Sequence, residues 1–315
     1  MKHDGVIVPM SLPVTPDGRL DEPAAERLVE QLAVHGLHVF VLGTTGESAS
    51  VPGAARLRLV QIAVRTAARR VRVYAGISDN CLADSVSAGR EYLQAGVDAV
   101  VAHAPWFFQL NDAEIAAWFT QLVAELRGPF MLYNIPQVTR HSVSIEVAAR
   151  LAELPDVIGF KDSENTPGRL EAVYARLGGR PHFSLVMGTG SLSTQALRRG
   201  YDGLVPATAN FAPTQWRDLY AAARAGEWDR AEPLQQQMIA LAGVFQKNRS
   251  LGQWLAAMKA GLHLRGLCSP AMLPPLEALD STAIEALRAE LTKNGFQVGQ
   301  VSDLTSEVQS VGSKT

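Results

Sequence analysis

Between Val6 and Ala207 the chain alternates short apolar runs with amphipathic stretches of helical period, and few folds accommodate that pattern. The apolar runs, read as strands, cover residues 6–9, 38–42, 71–76, 99–102, 130–134, 157–161, 183–188 and 203–206. Helical segments between them include 23–35, 54–69, 82–95, 112–125, 145–153 and 192–198, several of which open on Pro, Asp or Ser, and the first and third of which close on Gly36 and Gly96. Strands separated by helices pair in parallel through right-handed crossovers. Eight such runs within about 200 residues fit a closed (β/α)8 TIM barrel better than an open sheet. An open dinucleotide-binding sheet would carry a Gly-rich turn after its first strand. Here that place holds Ser11-Leu12-Pro13-Val14, which cannot wrap a pyrophosphate in that way.

This pattern divides the chain into a barrel core at 1–212, C-terminal helices packed on the barrel at 213–296 and a flexible tail at 297–315. In the second part Trp216, Leu219, Leu234, Met238, Leu241, Leu255, Met258 and Leu262 recur at helical spacing, and residues 281–293 read as a last helix. The tail is polar and rich in Ser and Gly. With 315 residues, 47% of them hydrophobic, the chain can bury a full core. A net charge of -2 without a run of Lys and Arg argues against nucleic acid as a partner. Cys81 and Cys268 are far apart and lack metal spacing, so a reducing compartment is expected. The N-terminus shows no signal peptide and no apolar stretch is long enough to span a bilayer, so the expectation is a soluble cytoplasmic protein with no membrane partner.

In a barrel, reactive groups gather on the loops after the C-terminal ends of the strands. Lys161 closes the sixth apolar run, where an amine held against apolar neighbours loses solvation and its pKa falls. A neutral amine attacks ketones to form a Schiff base. Taken alone, the same pattern also describes a surface lysine capping a strand. Gly43-Thr44-Thr45-Gly46-Glu47 follows the second run, where Gly43 and Gly46 permit a tight turn that points N–H groups and the Thr44 and Thr45 hydroxyls inward to hold a carboxylate. Tyr133-Asn134-Ile135-Pro136 closes the fifth run and offers a phenol able to relay protons. Barrel closure puts all three features on one rim.

Other candidates are weaker. His103 reads as a core histidine or a mouth residue, and His35, His38, His141, His182 and His263 show no metal-ligand spacing, so no metal site is expected. Gly188-Thr189-Gly190-Ser191 follows the seventh run, where many barrels bind phosphate at a helix N-terminus. That supports a rival, a phosphate-handling barrel with Lys161 as a charge clamp, although Ala207-Thr208-Ala209-Asn210 adds no matching motif. Trp106-Phe107-Phe108 reads as a lid or as subunit packing.

Taken together, Gly43-Thr44-Thr45-Gly46-Glu47-Ser48, Tyr133-Asn134-Ile135-Pro136, Gly159-Phe160-Lys161-Asp162-Ser163 and the run Gly203 to Ala209 resemble the dihydrodipicolinate synthase / N-acetylneuraminate lyase family of Schiff-base aldolases. The resemblance covers nearly the whole chain outside the tail. It implies an eight-stranded barrel with C-terminal helices, a tetramer built as a dimer of dimers, and no cofactor or metal. It also implies that Lys161 forms an imine with pyruvate or another 2-oxo acid. Tyr133 is then the general acid/base, and Thr44 and Thr45 bind the carboxylate and orient Tyr133. Gly43, Gly46, Gly188 and Val205 are the accompanying substrate-binding positions.

The departures bear on substrate. Where true dihydrodipicolinate synthases carry an arginine two residues after the Tyr-Asn-x-Pro proline, this chain has Val138, with Arg140 two residues further on as a candidate replacement. The tyrosine that usually reaches into a neighbouring subunit's proton relay is replaced by Phe107. The acidic pair often found after the seventh strand is replaced by the smaller, neutral Gly188-Thr189-Gly190-Ser191. These changes argue against lysine-pathway synthesis and for an aldolase or dehydratase acting on a 2-oxo acid, with a 2-keto-3-deoxy sugar acid as the favoured candidate. The alternatives are a divergent condensing enzyme that uses Arg140, and a 2-oxo-acid-binding member with little turnover.

Overall fold

The computed structural model describes residues 2–299. The expectation of a flexible tail falls, from residue 300 onward, outside the described residues. The first half of the chain runs β1 (Gly5–Pro9), α1 (Glu22–Val34), β2 (His38–Val41), α2 (Gly53–Ala67), β3 (Val73–Gly76), α3 (Leu82–Ala95), β4 (Ala99–His103) and α4 (Asp112–Leu126). The second runs β5 (Phe130–Asn134), α5 (Pro136–Thr139), α6 (Ile145–Leu151), β6 (Val157–Asp162), α7 (Arg169–Leu177), β7 (Ser184–Met187), α8 (Ser193–Arg199) and β8 (Gly203–Leu204). Four helices follow: α9 (Pro213–Arg224), α10 (Trp228–Gln246), α11 (Leu251–Leu264) and α12 (Ser281–Lys293).

The eight strands lie in sequence order in one closed sheet, and β8 pairs in parallel with β1 to complete a TIM barrel. Local chemistry starts and stops the helices. Asn111 caps α4 in a reciprocal capping box with Glu114, Asp280 accepts from the Ala283 amide at the start of α12, and Gly96 ends α3 at a φ of 100°. The eighth strand is shorter than its apolar run because Pro206 has no N–H for a neighbour. Asn210 holds that seam: its amide group donates to the Pro9 carbonyl at 2.8 Å and its side-chain oxygen accepts from the Ser11 amide at 3.0 Å.

Side chains alternate across each strand, so every strand serves two cores. Ile7, Phe40, Val101, Met131, Tyr133 and Val205 point into the barrel and pack together. Val39, Val41, Val100, Ala102, Leu132 and Phe160 point outward into the larger core shared with the helices. That larger core continues without a break into α9–α12 through Trp216, Leu219, Met238, Leu241, Phe245 and Leu262. The period of two also decides which β6 residue is inward. With Phe160 outside, Lys161 faces the barrel axis.

Candidate active site

Four adjacent strands set the site. Register pairs His103 of β4 with Tyr133 of β5, Tyr133 with Lys161 of β6, and Lys161 with Val186 of β7. Lys161 is only 4% exposed. Its Nζ lies 3.7 Å from the centroid of the Tyr133 ring and 4.9 Å from that of Phe40. The gap beneath it, among Ile7, Phe40, Tyr74, Val101 and Met131, is too small for a water molecule. Burial therefore lowers the Lys161 pKa, and the neighbouring Tyr133 opposes that shift only in part. The lysine is an enclosed group in the barrel interior, so the reading of a snorkelling strand cap does not describe it.

The next residue on each strand locks this pair from outside the barrel. Asn134 stands in register with Asp162 and donates to it at 2.8 Å, and Arg169 binds Asp162 at 2.7 Å and Glu164 at 3.2 Å. Burial raises the Asp162 pKa, with Arg169 and Asn134 opposing the rise. His103 is also enclosed. Burial pushes its pKa down to about 4, its Nδ1 bonds the Ala104 carbonyl at 2.8 Å, and its ring sits edge-on to Tyr133 at 5.9 Å. A neutral imidazole in van der Waals support of the phenol is the result.

The loop after β2 supplies the second wall. Leu42 enters it at a φ of 59° and Glu47 leaves it at 51°, both in the left-handed region that non-glycine residues seldom occupy. Gly76 on β3 makes room: a Cβ there would meet the Leu42 carbonyl oxygen at 2.0 Å. The turn is closed by Gly46 N–H to the Gly43 carbonyl at 3.0 Å and Glu47 N–H to the Thr44 carbonyl at 3.1 Å. Among the described residues the Thr44 and Thr45 amides have no acceptor in the protein. The Thr44 hydroxyl lies 3.5 Å from the Tyr133 hydroxyl. Two open amides on the same wall as a buried amine whose pKa is lowered can receive a carboxylate attached to a carbonyl. Glu47 anchors the turn from behind through a buried ion pair with Lys259 of α11 and a 3.0 Å bond from the Leu273 amide.

These groups open on one cavity of about 570 Å³. Of the positions singled out from sequence, Lys161, Tyr133, Thr44, Thr45, Gly188 and Val205 line it. Gly43 and Gly46 lie behind the lining and shape the turn. Arg140 is not on the wall. It is exposed and ends α5 at a φ of 65°. Gly188 does not leave open space either, because a Cβ there would meet the Ser163 hydroxyl at 2.0 Å. Phe107 and Phe108 are exposed and stack edge to face at 5.0 Å, outside the lining. A lid role for that cluster is thus not what this chain by itself displays.

The first turn of α8 already has protein partners. The Thr194 amide at the start of α8 donates to Gln235 at 3.0 Å, and the Thr194 hydroxyl donates to the Glu232 carboxylate at 3.2 Å. A phosphate there would have to displace one and face the charge of the other. Sequence reading missed Gln137, Thr208, Trp216, Gln246, Arg249 and Trp254, all on the wall. The signal for Ser163 was present in its motif, but nothing local marked the residues from α9 to α11. Among the described residues no group of three or more His, Cys, Asp or Glu is placed to hold a metal ion, and no helix is long and apolar enough to cross a membrane.

The sequence profile of the dihydrodipicolinate synthetase family matches residues 2–294. The chain belongs to that family. Members are lyases of the class I aldolase type, and this family member is an enzyme of that kind. Among its relatives, a 4-hydroxy-tetrahydrodipicolinate synthase of Phenylobacterium zucineum (strain HLK1) is 32% identical over 281 residues, covering 88% of this chain and 92% of the relative. The putative 2-dehydro-3-deoxy-D-gluconate aldolase YagE of Escherichia coli (strain K12) is 28% identical over 280 residues, with the same coverages of 88% and 92%. The crystal structure of YagE in complex with pyruvate superposes with a TM-score of 0.88 at 27% identity, over 94% of this chain and 99% of that one. Dihydrodipicolinate synthase from Bacteroides thetaiotaomicron superposes with a TM-score of 0.87 at 30% identity, over 92% and 98%.

Proposed function

We propose that this family member is a Schiff-base-forming lyase acting on pyruvate and on 2-oxo acids of the 2-keto-3-deoxy sugar acid type. The supporting observation is the enclosed Lys161 amine set between two rings, next to the open Thr44 and Thr45 amides on one cavity wall. The neutral Nζ adds to the C2 carbonyl while the two amides hold the neighbouring carboxylate. Tyr133 passes the proton from nitrogen to oxygen, and loss of water leaves the iminium. Tyr133, left as the phenolate once it has protonated the departing hydroxyl, takes the C4 hydroxyl proton as the C3–C4 bond breaks and its electron pair enters the iminium, giving an enamine and a free aldehyde. Protonation at C3 and hydrolysis then return pyruvate and the amine. The pyruvate complex of YagE supports a 2-oxo acid substrate, its aldolase description supports the sugar acid class, and the cavity wall carries Val138 rather than Arg140.

Borohydride reduction in the presence of pyruvate, followed by peptide mass spectrometry, tests the reading. The expected product is a reduced pyruvyl adduct on Lys161. Because burial lowers the lysine pKa, the trapping rate should rise with pH and reach half its plateau below the ordinary lysine value of about 10.4. A half-rise at the ordinary value would remove the case for a desolvated nucleophile. Replacing Tyr133 by Phe should slow turnover by roughly 10²–10⁴-fold, the scale of a lost general acid/base. An unchanged steady-state rate would reduce Tyr133 to packing.

Phe107 and Phe108, 75% and 69% exposed, support assembly into a homo-oligomer, with a dimer of dimers as the proposed form. Sedimentation velocity should show a tetramer, and a monomer at micromolar concentration would refute this. The free cysteines, Cys81 exposed and Cys268 buried, suit a cytoplasmic location.

A further inference from the structure

The cavity around Lys161 has a charge pattern that the proposed reaction leaves unused. Among the described residues its wall holds two cationic side chains, Lys161 and Arg249, and no aspartate or glutamate. Lys161 acts as a neutral amine, and the carboxylate next to the 2-oxo group is met by the Thr44 and Thr45 amides. Arg249 therefore has no assigned anion. It stands on the connection between α10 and α11, directly after Asn248, whose φ of 58° turns the chain there.

Its geometry is that of an anchored receptor. The Nη1 atom donates to the Val244 and Phe245 carbonyls at 2.7 and 3.1 Å, which fixes the guanidinium against the C-terminal end of α10. Capping that helix end occupies one nitrogen. Among the described residues no carboxylate pairs with Arg249, so its remaining N–H donors have no protein acceptor. The wall near it adds Gln137 and Gln246, which supply further neutral polar groups. A cavity of about 570 Å³ is in the range that encloses whole metabolites, about 300–1,000 Å³. A three-carbon oxo acid would leave most of it unfilled.

We infer that Arg249 determines specificity by binding a second oxyanion, a carboxylate or phosphate at the end of the substrate remote from its 2-oxo group. This rests on the Schiff-base reading and names the substrate class for that site. Charge recognition thus sits on the helical side of the mouth, where Arg249 lines the wall and Arg140 does not, and where the 188–191 segment carries no charge. Arg249 takes no part in bond making. In the aldol direction the enamine carbon adds to the aldehyde carbon, the aldehyde oxygen takes up a proton, and the anion is only held.

Trapping with matched 2-oxo acids tests the inference. The probes are 2-oxoglutarate, 2-oxoadipate and 2-oxopimelate, each against the monocarboxylate of equal length (2-oxopentanoate, 2-oxohexanoate, 2-oxoheptanoate). For at least one length the wild type should half-saturate roughly ten-fold or more below the monocarboxylate. Arg249→Gln should lower that ratio by roughly ten- to hundred-fold, the scale of a lost charge-assisted hydrogen bond, and Arg249→Lys should keep part of it. Pyruvate addition to glyceraldehyde 3-phosphate against glyceraldehyde, read as a ratio of kcat/KM, is the phosphate arm. Whichever arm shows an Arg249-dependent ratio identifies the oxyanion. Robust adducts with ratios near one, or ratios indifferent to Arg249→Gln in both arms, overturn the inference alone. Absence of any adduct on Lys161 with every 2-oxo acid overturns the Schiff-base reading and the inference with it.

Discussion

Replacing Lys161 by Met should abolish covalent capture of pyruvate while leaving the protein at least as stable as the wild type at neutral pH. Loss of capture follows from chemistry, since among the described residues no other amine lines the cavity wall. The stability result follows from burial. The ammonium form of Lys161 is desolvated between Phe40 and Tyr133, so the folded-state pKa lies below the unfolded one. Below the folded pKa both states carry the proton and the folded state bears the whole penalty. As pH rises from the folded toward the unfolded pKa, the unfolded state binds more protons and wild-type stability climbs. Methionine keeps an apolar stem and removes the charge, so its advantage should shrink as the pH rises from the folded toward the unfolded pKa. Lys161→Ala would equally lose capture but would also leave a void, at a cost of order 2–5 kcal/mol. Urea unfolding at several pH values, beside mass spectrometry of trapped samples, measures both effects. An adduct that persists in Lys161→Met would end the assignment.

Replacing Lys259 by Met should be the most destabilising of these changes, by about 3–5 kcal/mol. Lys259 and Glu47 are both 1% exposed at the side chain and pair with each other. Burial lowers the Lys259 pKa and Glu47 opposes the shift, so the pair exists because each charge compensates the other. Removing the lysine strands a carboxylate whose other support is the Leu273 amide at 3.0 Å. It also frees the Ala271 carbonyl, which accepts from Lys259 at 2.8 Å. Because Glu47 ends the turn bearing Thr44 and Thr45 in a left-handed conformation, pyruvate should also saturate the variant at higher concentration. The double variant Glu47→Gln/Lys259→Met should recover much of the lost stability, since no unpaired charge remains. A double-mutant cycle from denaturant titrations gives the coupling directly, and additive losses would mean that the two residues do not act as a pair.

The fold was legible because its signals are local. The strand at Phe130–Asn134 and the helices Leu82–Ala95 and Ser281–Lys293 begin and end where apolar period, caps and glycine place them. Other boundaries moved by one or two residues in either direction, and at Pro206 the missing N–H ends the ladder just after Val205 has bonded the Met187 carbonyl at 2.7 Å. Lys161, Tyr133 and Thr44 were legible as chemistry, because strand ends of a barrel share a rim whatever the side chains between them. Arg140 was not placed by the sequence, because distance along the chain does not fix which residues reach a wall; in the structure it is exposed and Val138 lines the cavity instead. Gly188 lies on the wall as its place after β7 suggested, with Ser163 filling the side where a Cβ would stand.

The sequence by itself determined the barrel, its strand order and the residues able to form an imine, because period, capping and strand-end position act over a few residues at a time. Only the tertiary structure decided how deeply Lys161 is buried, which amides of the 43–47 turn stay open, and that Glu47 meets Lys259. It alone brought Arg249 to the cavity from a helix connection far along the chain. Desolvation and charge pairing depend on everything within a few ångströms, and in a closed barrel wrapped by four further helices those neighbours come from every part of the sequence.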